Sequence, residues 1–245
     1  MYKIFLYNTS FWVYSILMAG QRDTAQYIFD TLKEEILSLE LKPGEEIIEA
    51  DLCNRFDASR TPVRTAIQRL SDIDLIEIAP YQYTRVSLID FSAARQMIFM
   101  RIVLESRILS DFISKANDFL IEDLEHIIRK QDILLKGRFI AEDFYKLDAE
   151  FHSLFFKEMD CLEIWRLLQE SVHYTRLRML DIVEVRDFLS IVEEHREILS
   201  MVKAKDKKDI GALLDRHLHG GLVRIRERSG GKYEKYFRNY KQGEI

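Results

Sequence analysis

One carboxylate and three imidazoles in the second half of the chain have the chemistry of metal ligands. Asp148 and His152 are four residues apart in FYKLDAEFHSLFF, which places both side chains on one face of a helix. His195 and His217 follow on two later helical stretches, and apolar residues three or four positions from each indicate that both face inward. Such a set suits zinc, nickel, manganese or iron, and imidazole does not discriminate among them. An Asp/His pair alone is more often a surface ion pair, so the metal prediction requires all four side chains to converge.

A second chemically distinctive stretch is SRTPVRTAIQRL, which carries three arginines and no acid in a chain of net charge -5. Its apolar residues recur at three- and four-residue intervals, and Ser59 is a good residue to cap the helix that this spacing predicts. The buried face of that helix is then formed by Val63, Ala66, Ile67 and Leu70. The opposite face presents Arg60, Thr61, Arg64, Thr65 and Gln68.

This polar face has the chemistry to contact DNA. Arginine can donate two hydrogen bonds to guanine and glutamine can pair with adenine, while Ser59 and Thr61 at the helix N-terminus can meet phosphate. An ordinary solvated helix face is the alternative interpretation. Residues 21–90 contain eight Lys/Arg and fourteen Asp/Glu, so the surrounding region is acidic. A basic face on an acidic region predicts weak non-specific binding, and therefore a dimer that engages two half-sites.

The elements that position these residues are predicted to be mostly helical, because glycine (9) and proline (3) are scarce in 245 residues. Two helices at 24–40 and 49–56, the helix that begins at Arg60, and strands at 75–78 and 84–88 predict a winged helix-turn-helix over residues 21–90. Residues 91–228 are predicted to form an all-helical domain. Its helices are placed at 91–116, 120–137, 140–159, 161–183, 186–204 and 207–228.

The two ends of the chain fall outside these domains. Residues 1–20 are apolar and aromatic, but Asn8, Thr9 and Ser10 interrupt them, so they predict an N-terminal extension rather than a membrane span. A signal peptide is the alternative for this segment. Residues 229–245 are predicted to be a C-terminal tail that packs its tyrosines locally. Two distant cysteines exclude a disulfide framework and a zinc ribbon, which favours a cytoplasmic location.

Several residues of the N-terminal region occur in a pattern typical of one known family, namely Pro43-Gly44, Glu49, Leu52, the SRTPVR string at 59–64, Ala66, Leu70, Leu75-Ile76 and Val86. With this pattern, residues 24–90 resemble a GntR-type bacterial transcription regulator. The resemblance implies that Arg60 and Arg64 touch DNA bases or phosphates, with Ser59 and Thr61 as backbone contacts. The family often has an arginine after the helix-two glutamate and a glycine at the wing tip, whereas this sequence has Ala50 and Tyr83. The further DNA-binding candidates are Gln68 and Arg85, the latter being the basic residue near the wing.

Residues 91–228 resemble the ligand-sensing domain of the FadR subfamily within the GntR family. Asp148, His152, His195 and His217 fit the positions of the metal ligands in that domain. The resemblance implies an antiparallel bundle of six or seven helices that holds a divalent transition metal, with zinc the first expectation. A carboxylate can occupy an open position of such a metal, and cations complete its recognition. The candidate cations are Arg101, which the resemblance supports, Arg176 and Arg178. Surface or dimer-interface positions are the alternative for these arginines.

These features predict a DNA-binding transcriptional regulator of mainly α fold, and not an enzyme. It is expected to repress by binding a palindromic double-stranded operator as a homodimer, and to respond to a small carboxylate such as a sugar acid or dicarboxylate. A helical metalloenzyme is the first alternative, but its general base is missing, because Glu194 adjoins His195 and should point about 100° away on the helix. A metal-independent acyl-ligand sensor is the second, and the complete ligand set disfavours it. No membrane partner is predicted.

Overall fold

Amphipathic helices and a hairpin form the N-terminal half, residues 24–88. The structure is a computed structural model that describes residues 24–137, 139–185, 188–229 and 231–240. The predicted extension at 1–20 lies outside them. The helices of this half are α1 (Thr24–Leu37), α2 (Glu49–Arg55) and α3 (Arg60–Asp72). Strands β1 (Ile76–Ala79) and β2 (Tyr83–Val86) then pair antiparallel, with Ile76 opposite Val86. The predicted winged helix-turn-helix is therefore confirmed.

The apolar faces of α1 and α3 form the core of this half. Ile28 and Leu32 on α1 are fully buried in one cluster with Val63 and Leu70 on α3. The backbone of Ser59 is extended where α3 begins, but its side chain makes no capping hydrogen bond. Burial of this one face leaves the polar face of α3 exposed to solvent.

Seven α-helices of the described residues form the C-terminal half, which starts at the short strand β3 (Ile89–Asp90). Asp90 caps the first of them by accepting a hydrogen bond from the backbone N–H of Ala93 at 3.0 Å. Phenylalanines, including Phe112, Phe151 and Phe155, fill the centre of this bundle. The helices are α4 (Phe91–Lys115), α5 (Asp118–Lys136), α6 (Ala141–Glu158), α7 (Leu162–Gln169), α8 (Val172–Leu180), α9 (Phe188–Ala204) and α10 (Ile210–Ser229).

The predicted helix at 161–183 is in fact two helices. Helix α7 ends at Gln169, and the Ser171 hydroxyl accepts a hydrogen bond from the backbone N–H of Tyr174 to start α8. A serine that bonds the backbone in this way favours a helix start over a helix interior. A π-helical turn, Asp181–Val185, follows α8 directly. The break allows α8 to have its own direction between the two halves of the molecule.

The predicted C-terminal tail does not pack only on itself. A 3₁₀ turn (Glu234–Tyr236) leads into strand β4 (Phe237–Arg238), which pairs in parallel with β3. Tyr233 and Phe237 are buried in the same apolar cluster as residues of α4, α8 and α10. Within the described part of the chain, no helix has the length and apolar character needed to cross a membrane.

Candidate metal centre and nucleic-acid interface

The four predicted metal ligands come together inside the C-terminal half. Asp148 and His152 come from α6, His195 from α9 and His217 from α10, and one ligand atom of each lies within 4.8 Å of the others. All four side chains are buried. Nε2 of His152 lies 3.0 Å from Nε2 of His217, and Nε2 of His195 lies 3.6 Å from Oδ1 of Asp148. The arrangement has the ligand types and spacing of a site for one divalent metal ion.

Each histidine of the cluster has an oxygen beside its other ring nitrogen. Nδ1 of His195 lies 3.0 Å from Oε1 of Gln131, and Nδ1 of His217 lies 2.7 Å from Oε2 of Glu194. Nδ1 of His152 lies 2.7 Å from Oε2 of Glu105. An Nδ1–H that donates to such an oxygen leaves the lone pair of Nε2 directed into the cluster. This is the tautomer in which a histidine binds a metal through Nε2.

The protonation states of the cluster also fit a metal. Burial lowers the pKa of His195 and of His217 well below the ordinary value, so both imidazoles are neutral. Burial alone would raise the pKa of Asp148, but several electrostatic attractions, of which that of Arg178 is the largest, together hold that pKa below the usual range. Among the described residues, Nε2 of His195 has no hydrogen-bond partner although it is buried. A metal ion would satisfy this lone pair, which is otherwise costly to bury.

Two of the three predicted arginines lie beside the metal ligands. Arg178 donates a hydrogen bond from Nη2 to Oδ1 of Asp148 at 3.1 Å and contacts Asp181 through Nη1 at 3.2 Å. Arg101 donates to Glu105 and to the hydroxyl of Tyr174. Burial would raise the pKa of Glu105, yet Arg101 and His152 lower it to about 2. A small cavity adjoins these groups, with a volume of only about 10 Å³ in this structure. It is lined by Arg101, Tyr145, Asp148, Ala149, Trp165, Gln169, Tyr174 and Arg178.

Arg176 does not line this cavity. Its guanidinium donates to the backbone oxygens of Ser87 and Leu88, at 2.8 and 3.3 Å, at the boundary between the two halves. Residues two apart on a helix point about 200° away from each other, so Arg176 and Arg178 face opposite sides of α8. The structure therefore places Arg176 at the domain junction and leaves Arg101 and Arg178 as the arginines of the cavity.

Several residues of this site were not found from the sequence. Glu105 and Gln131 come from α4 and α5, and only tertiary packing brings them to the histidines. Tyr174 and Asp181, which hold Arg101 and Arg178, also escaped notice. Glu194 was expected to point away from the metal ligands, but its carboxylate reaches His217 on the neighbouring helix. The helical angle of 100° separates Glu194 from His195 and directs it toward α10 instead.

The predicted DNA-contacting face of α3 is exposed, but most of its polar groups have a partner. Ser59, Arg60 and Thr61 are exposed at the start of the helix. Nε of Arg64 donates to both carboxylate oxygens of Glu49, at 3.1 and 2.9 Å. Gln68 donates to Asp72 at 3.0 Å. The face is therefore available to a partner, with the guanidinium of Arg64 already oriented by an acid on α2.

Arg85, the predicted contact from the hairpin, is engaged within the hairpin itself. Its guanidinium binds Glu77 on the adjacent strand at 2.9 Å and lies over the ring of Tyr83 at 4.2 Å. The wing tip instead presents Tyr81, which is fully exposed and has a backbone φ of 62°. The hairpin therefore offers an aromatic ring, and no free cation among its described residues, at its tip.

Two family models match the chain. Residues 24–86 match the bacterial regulatory proteins of the gntR family, and residues 96–220 match the FCD domain. Among similar proteins, the HTH-type transcriptional repressor RspR of Escherichia coli K12 is 26% identical over 194 residues, which cover 79% of this chain and 85% of that protein. The gluconate operon transcriptional repressor of Bacillus subtilis is 23% identical over 203 residues, which cover 80% and 81% of the two chains.

Solved structures support the same fold. The Escherichia coli protein McbR/YncC matches with a TM-score of 0.61 at 19% identity, over 85% of this chain and 100% of that one. A GntR-type transcriptional regulator from Rhodococcus sp. RHA1 matches with a TM-score of 0.64 at 19% identity, over 84% and 99% of the two chains. At these identities the similarity concerns the arrangement of the helices.

Proposed function

Since the chain belongs to the GntR family of bacterial regulatory proteins and carries an FCD domain, we propose that it binds a palindromic operator as a homodimer. We further propose that it responds to a small carboxylate held beside a metal. It is a transcriptional regulator and not an enzyme, because both matched families and the similar proteins are regulators. The metalloenzyme alternative is therefore set aside. RspR and the gluconate operon regulator are named as repressors, which supports repression here.

One observation carries the sensing part of this proposal. Three imidazole Nε2 atoms and the Asp148 carboxylate converge at the edge of a cavity that two arginines also line. A bound metal ion supplies open coordination positions to a carboxylate there. Arg178 and Arg101 supply charged donors, which bind carboxylates more strongly than neutral donors do. Zinc, nickel, manganese and iron all suit the donor set.

The cavity favours a small, polar effector. Its lining contains two guanidinium groups, a carboxylate and two tyrosines, and its volume in this structure is only about 10 Å³, so an effector must displace lining side chains to enter. A sugar acid or a dicarboxylate offers one carboxylate for the metal and further oxygens for these donors. A long acyl chain lacks the polar groups that would replace the hydrogen bonds of the buried side chains, and burying them unpaired is costly.

The DNA-binding part of the proposal concerns the exposed face of α3. Arg60 and Arg64 present guanidinium groups that suit guanine, and Thr61 and Ser59 lie at the helix N-terminus, where phosphate is favoured. Because residues 21–90 carry six more acids than bases, one such face has little general attraction for DNA. Two copies in a homodimer, each on one half-site, provide the affinity that a single copy lacks.

Helix α8 is the element that couples the two sites. Tyr174 and Arg178, four residues apart, face the cavity. His173 and Arg176, on another face of the same helix, contact Asp74 and Ser87 in the N-terminal half. A ligand that shifts α8 therefore also shifts its contacts with the DNA-binding half. Couplings between two such sites are typically about 1–3 kcal/mol.

The proposal is tested on the full chain without a polyhistidine tag. We expect elemental analysis to find a bound transition metal that is lost in His152→Ala and kept in His126→Ala, since His126 is exposed on α5. We expect the protein to shift DNA from upstream of its own gene, and one sugar acid or dicarboxylate to weaken that shift. A metal-free wild type would refute the sensing part, and the same affinity for unrelated DNA would refute the operator part.

A further inference from the structure

The C-terminal segment, residues 231–240, contacts the place where the two halves of the molecule meet. This segment lies outside both regions that the family models match. Its strand β4 pairs in parallel with β3, so that Phe237 is opposite Ile89 and Arg238 is opposite Asp90. Strand β3 is the connection between the winged half and the first long helix. The end of the chain thus adds a strand to the linker.

Aromatic side chains anchor the segment at this position. The ring of Phe91, which starts α4, is fully buried and lies 5.8 Å from the ring of Phe237 and 5.4 Å from that of Tyr240, both in edge-to-face geometry. Tyr233 and Phe237 are each about 95% buried. The same apolar cluster includes Leu39, which follows α1 in the N-terminal half. Residues of both halves and of the segment therefore share one core.

Polar side chains of the segment bridge the two halves directly. Arg238 forms an ion pair with Asp74, which follows the recognition helix α3. It also pairs with Asp90, the cap of α4, at 3.3 Å. Asn239 donates to Asp90 at 2.8 Å. The carboxylate of Asp74 is also 2.8 Å from Nε2 of His173 on α8. Asp74 is thus held by the C-terminal segment and by α8 at the same time.

We propose that residues 231–240 are a clasp that fixes the orientation of the DNA-binding half on the effector-binding half. The clasp joins the end of α3 to the start of α4, which are the elements whose relative position sets where the recognition helix points. A consequence that rests on the proposed function is that opening the clasp weakens operator binding, since two recognition helices must keep a fixed spacing to fit two half-sites.

The orientation of the two halves can be measured without DNA. The two cysteines are free, with Cys53 in the DNA-binding half and Cys161 in the effector-binding half. Spin labels on both, in protein diluted with unlabelled chains, report the distance between the halves within one chain. We expect wild type to give one narrow distance distribution. We expect Arg238→Gln and Asp74→Asn to give a broad distribution and to bind the upstream DNA fragment more weakly.

Two features of the variants make this test decisive. Asp74 has a backbone φ of 60°, which asparagine also tolerates, so Asp74→Asn removes the charge without straining the chain. Lys235→Gln is the matched control, because it removes one positive charge from the same segment. Lys235 is exposed, and its described contact is with the ring of Tyr236, within the segment.

Narrow, wild-type distributions in both variants would overturn the clasp. Broad distributions with unchanged DNA affinity would overturn its consequence for binding, and a wild type with no preferred DNA would refute only the proposed function.

Discussion

At the residue scale, the proposed metal ligands are oriented by side chains that lie outside the cluster of four. Gln131, Glu194 and Glu105 each place an oxygen against one imidazole Nδ1, and all three belong to elements other than that of the histidine they orient. Because a ring nitrogen that donates to an oxygen cannot turn away without leaving that oxygen unpaired, the contacts of Gln131 and Glu194 fix the direction of the Nε2 lone pairs of His195 and His217. Glu105 is close to His152 as an ion-pair partner. If the cluster binds a metal as proposed, these partners contribute to its affinity.

Gln131→Ala tests that contribution. We expect the variant to bind Zn²⁺ about 10- to 100-fold more weakly than wild type, as is typical when the partner of a metal-binding histidine is removed. A competitive titration with a coloured zinc chelator measures the change. Asp132→Ala is the control, because it is adjacent on α5 and its carboxylate pairs with Arg196 near the surface. Equal zinc affinity in Gln131→Ala and wild type would show that Gln131 does not orient His195.

Glu49 has a similar role toward Arg64. Its carboxylate binds Nε of Arg64, which leaves the two terminal amino groups of the guanidinium for a base edge. If Glu49 acted only as a negative charge near DNA, its neutralisation would strengthen binding to every duplex. If it orients Arg64, neutralisation reduces the preference for the operator over other DNA. The ratio of operator affinity to non-specific affinity therefore stays unchanged in the first case and falls in the second.

We expect Glu49→Gln to lower the ratio of operator affinity to non-specific affinity by roughly 5- to 150-fold, which corresponds to one bidentate base contact. The operator is first selected from randomised duplexes with the wild-type protein, and both affinities are then measured by fluorescence anisotropy. Asp51→Asn makes the same charge change at another exposed position of α2 and should keep the ratio. A ratio that is unchanged in Glu49→Gln would assign Glu49 a purely electrostatic role.

At the element scale, α8 faces the cavity on one side and contacts the winged half on another. Arg176 is one of its links to the winged half. Its side chain is fully buried and forms no ion pair among the described residues, and burial lowers its pKa to about 10. Hydrogen bonds to Ser87 and to the Leu88 carbonyl compensate for the lost hydration. The arginine therefore serves as a fixed cross-link between α8 and the two residues that connect β2 to β3.

Removal of this cross-link should destabilise the protein. Arg176→Gln leaves buried backbone oxygens without donors, and we expect this loss to lower the free energy of unfolding by about 1–3 kcal/mol. Urea denaturation followed by circular dichroism measures the change. Arg129→Gln removes an exposed arginine that pairs with Glu122 and Glu125 on α5, and it should change stability by less than about 0.5 kcal/mol. Similar losses in the two variants would contradict a structural role for Arg176.

The same helix shows what the sequence could and could not predict. Periodicity located the helices and four buried side chains that the structure brings together, Asp148, His152, His195 and His217, because one buried face repeats regularly along each helix. It merged α7 with α8, although Ser171 is a residue type that favours a helix start. It also grouped Arg176 with Arg178, since periodicity separates their directions but does not say which direction faces the cavity. Glu105 and Gln131 depend on how α4 and α5 pack against α6 and α9, which no local pattern encodes.

At the scale of the whole molecule, the charge of the chain limits its general attraction for DNA. The chain has a net charge of -5, and the region that contains α3 is acidic. Several cations near α3 are neutralised internally, as Arg55 is by Glu35 and Arg85 is by Glu77. In the proposed homodimer, specific recognition would therefore depend on few ionic contacts and on the correct spacing of two copies.

This distribution of charge predicts a shallow dependence of operator binding on salt. Each protomer exposes Arg60 and Arg64 on the recognition face, so a dimer brings four guanidinium groups to the duplex. Each phosphate neutralised contributes about -0.9 to the slope of log K against log salt concentration, so the slope should be no steeper than about -4. The slope is measured by anisotropy titrations at salt concentrations from about 50 to about 300 mM KCl.

Arg60→Ala should make the slope shallower. Arg107→Ala is the control and should leave the slope unchanged, because Arg107 is an exposed arginine of α4 that pairs with Asp111. A slope clearly steeper than about -4 would require phosphate contacts from outside these four arginines, and the prediction of few ionic contacts would then be wrong.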